Sequence, residues 1–582
     1  MNLLVPALLL QLQAATVPPD SVEAIRKAAR RAEAEFERLA RRLAPVDHAA
    51  WSGSDCDEIV GRFCLRYDTG RPPEPKPEPD RVTLARRLAI EALRRAFTFQ
   101  ADELATSGPL VRYLVEDDRA PEAVAAARTY AALTGDTIWG PLLLGFALHA
   151  TGEDTTAERL FDAGLGRLPA DERERYLDVE WLLSNDDRKR YDDLTPEERR
   201  RFERTLWRLS DPLFLTPGNE RRAEHLARHV WSRLHERAPF VTGMVRWGDD
   251  LDQLTARYGV PYARSRTAGT MTREGSLIEH FDPDQLAYVP EHLLSRGPPP
   301  TPLPGETWPL ENPRTRSGYA PRTIRVLREL PHQVSVFPDG DSVIVRIDAE
   351  FALDSVATGR TAATIALFLA DEAGEMVAAV RDTARVRDDT ATFVLELPAA
   401  PGSYVYSAEV LEPETGQSAR ARYAVDVPAR DADIALSDPV LARPFGTDSL
   451  PADRGDGRLR PLTSLVLAPG DTVGLYAEVH GLATGAGGES AFRVQLTMRR
   501  ADRASLPARL VSWLGQRLGL SSPDTPPRLA WSAHGPAGAP AMIAVDLQLE
   551  DDDGLYVIVL EVTDEVTGAV AESRKVLRVG ES

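Results

Sequence analysis

The spacing of apolar residues changes once along this chain, near residue 320. On the N-terminal side, apolar residues recur every three or four positions, which is the period of an amphipathic helix. On the C-terminal side they alternate with polar residues, as in Val343–Ala349 and Ala363–Leu369, which is the period of a strand. The sequence therefore predicts a multidomain α + β protein, with an N-terminal array of α-helical hairpins followed by two β-sandwiches.

The helical part separates into short segments joined by turn signals, such as Thr-Gly-Asp at 134–136 and Thr-Gly-Glu at 151–153. Loops this short join antiparallel neighbours. The predicted helices cover residues 21–43, 82–97, 101–115, 121–134, 138–151, 154–168, 171–184, 196–209 and 218–237.

One predicted hairpin is similar to a tetratricopeptide repeat, with a connecting loop about two residues longer than the consensus. The matching positions are Trp139, Leu142, Phe146, Ala157, Phe161, Gly164 and Pro169. A generic helical hairpin is the alternative, because any such hairpin alternates large and small residues at its contacts. Either interpretation predicts stacked hairpins with a concave face suited to a protein or peptide ligand.

The two β regions resemble each other. Gly-x-Tyr at 402–404 recurs at 554–556, and Thr-Gly at 415–416 recurs at 567–568, each with an offset of 152 residues. Gly-x-Tyr followed by alternating apolar residues is common in immunoglobulin-like sandwiches. We therefore expect a duplicated immunoglobulin-like fold.

The second copy contains additional residues. An earlier match, Gly340-Asp341 against Gly470-Asp471, has an offset of only 130, so the difference from 152 predicts 22 inserted residues. Residues 502–527 supply a helix-like apolar stripe followed by a proline-rich stretch. This insertion is expected to cover an edge of its own sandwich, and docking to a partner or a membrane surface is the alternative.

The chain has only two cysteines, Cys56 and Cys64. A close pair in a long chain favours one local disulfide formed in an oxidising compartment. Free buried thiols and a chemical site are the alternatives. The spacing matches neither a CxxC redox motif nor half of a standard zinc site.

The first 18 residues indicate export. Leu3–Leu10 is apolar, and small residues for cleavage follow at Ala14 and Ala15, although no Lys or Arg precedes the apolar run. An uncleaved or anchored helix and a cytosolic helix end are the alternatives. No other stretch approaches the roughly 18 uninterrupted apolar residues of a membrane span, so we expect no transmembrane span in the mature chain.

Charge and motif content exclude several function classes. With 89 acidic and 69 basic residues the formal charge is -20, which repels phosphate backbones, so no nucleic-acid partner is expected. Phosphate-loop, nucleophile-elbow and dinucleotide motifs are absent, and no cofactor is predicted. His225 and His229 are one helical turn apart, but Leu226 stands where a zinc-protease motif needs Glu. We therefore predict no metal site.

Residues 211–220 (Asp-Pro-Leu-Phe-Leu-Thr-Pro-Gly-Asn-Glu), 247–250 (Trp-Gly-Asp-Asp) and 258–261 (Tyr-Gly-Val-Pro) follow one another in order. Together they resemble the GWxTD-domain family of bacterial exported proteins over roughly residues 205–295. At the defining motif this chain has Arg246-Trp247-Gly-Asp-Asp250 where the family has Gly-Trp-x-Thr-Asp. The resemblance implies a bacterial exported protein and implies no particular activity.

Physical reasoning assigns structural roles at this junction. Thr216 is predicted to cap a helix, with Pro217 as its first residue. Trp247 is expected to be a packing anchor, and Asp249 and Asp250 are expected at the surface. The alternative is a polar cleft. Its candidate binding residues are Asn219, Glu220, Trp247, Asp249, Asp250 and Arg257.

These patterns predict a signal peptide (1–18), an N-terminal helix with the cysteine segment and a proline-rich linker (21–80), helical repeats (81–210), a junction domain (211–295), a linker (296–320) and two β-sandwiches (321–430 and 431–582). The function hypothesis is an exported, non-catalytic protein-binding or scaffold protein of the bacterial envelope, periplasmic or extracellular, whose helical repeats hold a protein or peptide ligand. The alternative is an exported hydrolase with a site at 211–261.

Overall fold

A computed structural model shows a mixed α + β chain in which a helical region precedes several β-sheets. It divides into two compact units, the first made of residues 1–212, 216–295 and 309–323, and the second of residues 213–215, 296–308 and 324–582. The structure describes residues 19–43, 47–52, 57–65, 77–236, 247–261, 263–268, 277–281, 285–306, 315–322, 324–340, 342–353, 362–387, 389–429, 433–446, 450–485, 487–501, 528–536, 538–550 and 552–580.

The helices lie close to the predicted positions. They are α1 Pro19–Leu43, α2 Asp80–Gln100, α3 Leu104–Glu116, α4 Ala120–Thr134, α5 Trp139–His149, α6 Asp154–Leu165, α7 Ala170–Leu177, α8 Asn185–Asp192, α9 Pro196–Ser210, α10 Glu220–His235, α11 Asp249–Tyr258 and α12 Leu293–Arg296.

The single helix predicted over 171–184 is wrong. The chain forms α7, becomes extended at Asp178, and then makes a short 3₁₀ turn at Glu180–Leu182. Helix α8 was not predicted, because its sequence is almost wholly polar and only Asp187 and Tyr191 are buried. The Ser184 side chain begins α8 by accepting a hydrogen bond from the backbone N–H of Asp187.

Helices α1 to α6 pack in series, each mainly against its neighbours in the chain. The α5–α6 pair interlocks through two glycines. A Cβ atom at Gly145 would lie 2.9 Å from the Phe161 ring, and one at Gly164 would lie 2.9 Å from Leu142 Cγ. The two helices therefore approach closely, and large side chains fill the positions where a partner has none.

Helix α10 packs across this array, against α3, α5 and α6. Leu226, Val230 and Leu234 are buried in the same apolar core as the array helices. A Cβ atom at Gly108 in α3 would lie 3.0 Å from Leu234. One face of the array is thus covered by a helix of the same chain.

The first unit contains a five-stranded sheet that the sequence does not predict. Its strands are β1 Asp47–Ser52, β2 Glu58–Val60, β3 Phe63–Leu65, β4 Ala263–Ala268 and β5 Leu277–His280, in the order β1-β4-β5-β3-β2. Each strand is short, and β1 to β3 are about 200 residues away from β4 and β5 in the chain. Local periodicity therefore gives little signal for this sheet. Helix α11 packs on this sheet through Leu251, Leu254 and Tyr258.

The first β region has two sheets, ordered β10-β9-β12-β13-β6 and β11-β8-β7. The strands are β6 Val326–Glu329, β7 His332–Asp339, β8 Ser342–Ala352, β9 Ala362–Asp371, β10 Met376–Arg385, β11 Thr390–Ala399, β12 Gly402–Glu412 and β13 Gln417–Val427.

The second β region also has two sheets, ordered β16-β22-β21-β18-β19 and β14-β17-β15, with β20 paired to β17. The strands are β14 Ala435–Leu436, β15 Val440–Ala442, β16 Val466–Leu467, β17 Thr472–His480, β18 Glu489–Ala501, β19 Arg528–Pro536, β20 Ala541–Gln548, β21 Gly554–Asp564 and β22 Val570–Val579. One apolar core joins the two sheets.

The two larger sheets have equivalent strand orders, because β10, β9, β12, β13 and β6 correspond in turn to β19, β18, β21, β22 and β16. The recurring tyrosines make the same bond. Tyr404 Oη donates to the carbonyl of Ala400 (2.9 Å), and Tyr556 Oη donates to the carbonyl of Asp552 (2.8 Å). The sequence repeat therefore corresponds to a repeated topology.

The predicted insertion lies between β18 and β19. Twenty-six residues, 502–527, separate these strands, whereas four residues, 372–375, separate β9 and β10, a difference of 22. Residues 502–527 themselves are outside the described residues, as are the predicted signal peptide (1–18) and Cys56. The predictions of a helical insertion, a signal peptide and a disulfide therefore stay predictions.

The segment predicted as a linker, 296–320, is hydrogen-bonded in its described parts. Pro299 accepts a backbone bond from Ala424 in β13 (2.9 Å), within the second unit. Within the first unit, Tyr319 exchanges backbone bonds with Leu286. Across the part of the chain that the structure describes, no helix has the length and apolar content needed to span a bilayer.

We predict that Gly164→Leu lowers the free energy of unfolding by roughly 2 kcal/mol, because the new side chain overlaps Leu142 and the backbone oxygen of Ile138. Ala163→Leu is the matched control, since Ala163 is the exposed neighbour on the same helix and should change stability by less than about 0.5 kcal/mol. Urea unfolding followed by circular dichroism at 222 nm measures both. Equal effects of the two substitutions would contradict the interlocked hairpin.

Candidate functional site

The start of α10 differs from the prediction. Asn219, not Thr216, is the N-cap, and its Oδ1 accepts a hydrogen bond from the backbone N–H of Arg222 (2.9 Å). The physical reason is Gly218, whose φ of +86° is not helical. A Cβ atom at Gly218 would lie 2.8 Å from the backbone nitrogen of Thr155, so glycine is also required for space.

Asn219 is fully used in this turn. Its Nδ2 donates to the carbonyl of Trp207 at the end of α9 (2.5 Å), and its backbone N–H donates to Glu158 of α6 (2.8 Å). Glu220, the next residue, is buried. The turn therefore joins three helices and is not an open binding surface.

Arg257 is completely buried and joins three parts of the first unit. Its guanidinium makes a bidentate ion pair with Glu58 of β2 (2.8 Å to each oxygen). Its Nε donates to the carbonyl of Arg316 (2.7 Å), and it also donates to Tyr258 Oη (2.8 Å). Planar, paired donors of this kind suit Arg and no other side chain.

Arg228 of α10 makes a similar connection. It donates to the carbonyls of Arg257 (3.0 Å) and Gly318 (3.0 Å), and its Nε pairs with Glu224 one turn earlier (2.5 Å). Arg228 therefore joins the end of α11 and residue 318 to α10. Arg257 joins the end of α11 to β2 and to residue 316.

Asp250 was expected at the surface, and this is wrong. Its carboxylate accepts bonds from the Arg62 backbone N–H (3.1 Å), Nε (2.6 Å) and Nη2 (2.5 Å). Burial raises the pKa of Asp250, but the Arg62 bonds outweigh it and lower that pKa overall. The turn before β3 comes so close that a Cβ atom at Gly61 would lie 2.5 Å from Asp250 Cβ. Asp249 is exposed, as expected.

Trp247 lies in an aromatic group at the end of α10. Its ring is 5.6 Å from Trp231 and 4.7 Å from His235, and its Nε1 donates to Asp252 (2.8 Å). These contacts are those of a packing residue that keeps one polar bond.

The structure does not bring the six candidate residues into one cleft. Trp247, Asp249 and Asp250 lie near the C-terminal end of α10, whereas Asn219 and Glu220 lie at its start. Since α10 has 16 residues, the two groups are about 24 Å apart along the helix. Arg257 lies between them, beside Arg228.

A buried polar network that the sequence did not predict lies beside the first turns of α10. His149, at the end of α5, bonds Asp154 through Nδ1 (2.5 Å) and Glu224 through Nε2 (2.7 Å). Glu224 in turn pairs with Arg228. Burial lowers the pKa of His149, but the two carboxylates outweigh it and raise that pKa to about 9. The one sequence signal was the four-residue spacing of Glu224 and Arg228, which predicts an ion pair on one helix face.

The bonds of this network leave neither imidazole nitrogen of His149 free. Both ring nitrogens of His149 are bonded to carboxylates, so neither can activate a hydroxyl or thiol nucleophile. His149 and Arg228 carry two positive charges, and Asp154 and Glu224 carry two negative charges. The charges therefore balance inside the core.

His225 and His229 lie on the same face of α10, as their spacing predicts, and both are buried among aromatic rings. His225 is 4.7 Å from Trp207, His229 stacks on Trp181, and the two imidazoles meet edge to face at 4.6 Å. Burial lowers the pKa of His229 to about 4 and that of His225 well below its ordinary value. Within the described ranges, no group of three or more His, Cys, Asp or Glu residues is placed to hold a metal ion.

No family model and no curated protein matches this sequence. Among solved structures, the chain is similar to a Salmonella alpha-2-macroglobulin reacted with methylamine (12% identity, 43% of this chain, 16% of that chain, TM-score 0.15). It is also similar to an E. coli alpha-2-macroglobulin (11%, 44%, 17%, TM-score 0.15) and a Bacteroides uniformis beta-glucuronidase (9%, 40%, 26%, TM-score 0.15). The chain thus spans about a quarter or less of these proteins, and TM-scores this low establish no function.

We predict that Asp250→Asn lowers the free energy of unfolding by about 1–2 kcal/mol, because Arg62 loses its charged partner in a partly buried pair. The control is Asp249→Asn at the exposed neighbouring position, with an effect below about 0.5 kcal/mol. Urea denaturation of both variants provides the comparison. A stabilising Asp250→Asn substitution would indicate that the carboxylate is held at a cost, as at a functional site.

We also predict a stability loss in alkaline solution that depends on His149. The pKa of His149 is about 9 in the folded state and roughly 6.5 in the unfolded chain. Protonated His149 therefore stabilises the fold, and this stabilisation is complete below pH 6.5. That stabilisation, roughly 3 kcal/mol, is lost as the pH rises from 6.5 to 9.

The measurement is the unfolding free energy of wild type minus that of His149→Asn at several pH values, followed at 222 nm. The difference should shrink over this window. His534→Asn, at an exposed position in β19, should leave the wild-type pH dependence in place. A constant difference between wild type and His149→Asn would refute the charged, doubly bonded imidazole.

Proposed function

We propose that this protein is an exported, non-catalytic binding or scaffold protein of the bacterial envelope. In this proposal the helical array holds a protein or peptide ligand, and the β regions act as spacers or adhesion modules. The main observation in support is that the polar side chains of the junction are bonded within the protein. Asn219, Asp250 and Arg257 spend their polar groups on bonds that fix the fold, which leaves them little capacity for a substrate.

We further propose the finer fold assignments. The serial packing of α1 to α6 and the glycine interlock of α5 and α6 support tetratricopeptide-like hairpins. Paired sheets and the Tyr404 and Tyr556 bonds to backbone carbonyls support immunoglobulin-like sandwiches. We interpret residues 205–295 as a divergent GWxTD domain, a proposal that depends on the sequence resemblance.

The ligand surface proposed for the array is the outer side of α2. Helix α10 packs against α3, α5 and α6, so the face of the array that these helices form is already covered. Leu84 and Leu88 are one turn apart on α2, and each is 58% exposed. Neighbouring exposed leucines on a helix suit an apolar anchor of a protein partner.

The alternative hydrolase is not proposed, because the candidate residues are distributed along α10 and His149 has both nitrogens occupied. Export and the Cys56–Cys64 bridge are part of the proposal. Cys64 is buried in β3 beside the paired strand β5. Mass spectrometry of the protein from its native compartment, with and without reductant, tests the bridge and the start of the mature chain together.

The binding proposal predicts that Leu84→Glu/Leu88→Glu abolishes partner capture, because two carboxylates replace the apolar contact. The matched control is Val377→Glu/Val570→Glu, at positions 50% and 54% exposed in the β regions. Stability should change little in both variants, since exposed substitutions usually have effects within about 0.5 kcal/mol.

The measurement is quantitative mass spectrometry of proteins captured from an extract of the producing cells. We expect partners that wild type and the control retain and that the α2 variant loses. Equal capture by all three proteins would place the ligand elsewhere, and specific capture of none would contradict the binding function.

A further inference from the structure

One charged side chain in the core is not explained by the fold. Arg221, in the first turn of α10, is completely buried, and its Nη1 and Nη2 make no hydrogen bond within the part of the chain that the structure describes. A buried guanidinium without a partner costs several kcal/mol. Arg228 and Arg257, by contrast, are buried with carbonyl and carboxylate partners.

The surroundings of Arg221 offset only part of that cost. Its guanidinium carbon is 5.9 Å from the Trp207 ring and 6.0 Å from the Tyr319 ring. Cation–π contacts of this kind contribute roughly 1–2 kcal/mol each. Glu224, the carboxylate whose charge acts on Arg221, already pairs with His149 and Arg228.

Burial lowers the pKa of Arg221 to about 9, with Arg228 lowering it further and Glu224 raising it. The side chain therefore keeps its positive charge at neutral pH. It is a cation in a nearly closed aromatic environment, and an anion is the chemical partner that would satisfy both free nitrogens.

A second free polar atom lies one turn along the same face. His225 is 1% exposed, and its Nδ1 has no hydrogen-bond partner among the described residues. Its Nε2 is 3.2 Å from the carbonyl of Tyr176, so Nε2 carries the proton and donates. Nδ1 is consequently an acceptor, and it needs a donor from whatever occupies this position.

Residues four apart on a helix have neighbouring side chains, and Trp207 contacts both Arg221 and His225. Two donor nitrogens of Arg221 and one acceptor nitrogen of His225 therefore lie close together without hydrogen-bond partners among the described residues. A ligand that matches them has anionic oxygens and one hydroxyl. A simple anion without a proton leaves the His225 acceptor unsatisfied.

We propose that Arg221 and His225 bind a small, partly protonated oxyanion of the hydrogen phosphate type. The guanidinium donates to the anionic oxygens, and the ligand hydroxyl donates to His225 Nδ1. Trp207 and Tyr319 form apolar walls that exclude water. Because both polar side chains are almost fully enclosed, the site accepts a free ion and excludes a phosphate ester on a large molecule.

Equilibrium dialysis of the full chain against inorganic phosphate tests this site. Wild type should bind one phosphate per chain, and Arg221→Met should bind at least roughly tenfold more weakly. Arg201→Met, at an exposed position of α9, is the matched control and should bind like wild type. Melting curves without phosphate show that Arg221→Met is folded, because loss of an unpaired buried charge should not destabilise the chain.

Two further ligands separate the chemical alternatives. Sulfate lacks the hydroxyl at neutral pH and should bind more weakly than phosphate, while phosphoserine should not compete. Equal binding of sulfate and phosphate would overturn the role of His225, and competition by phosphoserine would overturn the enclosed site. The whole proposal fails if wild type binds no phosphate, or if Arg221→Met binds phosphate as tightly as wild type does.

Discussion

The buried bonds of Arg257 and Arg228 are the interactions on which the first unit depends. Arg257 connects α11 to β2 and to residues 316–318, and Arg228 connects the same region to α10. The segments they join are about 200 residues apart in places. Removing one partner of a buried pair costs roughly 3–5 kcal/mol. These bonds therefore hold α10, α11, the small sheet and residues 316–318 together within the first unit.

This arrangement explains why a segment rich in polar motif residues is not a cleft. Three interactions satisfy polar groups that would otherwise lack a partner in the fold. They are the helix cap by Asn219, the pairing of Asp250 with Arg62, and the bond from Trp247 to Asp252. A group engaged in this way is poorly available to a substrate. Arg221 and His225, in the same region, are different: among the described residues, both Nη atoms of Arg221 and Nδ1 of His225 have no hydrogen-bond partner. For this reason a ligand is proposed for these two side chains.

The two β regions share a topology although one of their loops differs in length. Both have the same strand order in the larger sheet and a tyrosine bonded to a carbonyl four residues earlier. The 22 additional residues enter at the connection between β18 and β19, where an extension does not interrupt strand pairing. Loop positions tolerate such growth because closing a longer loop costs little more entropy.

The sequence by itself determined the features that depend on local periodicity: most helices, the alternating strands, the repeat offset of 152 and the position of the insertion. Only the tertiary structure decided which helix face α10 covers, how the cysteine segment joins β4 and β5, and that Asp250 is paired. It also placed His149 between two carboxylates, one of them 75 residues away. Periodicity reports which side of an element is apolar, whereas a buried charge is decided by the partner that packing brings to it from a distant part of the chain.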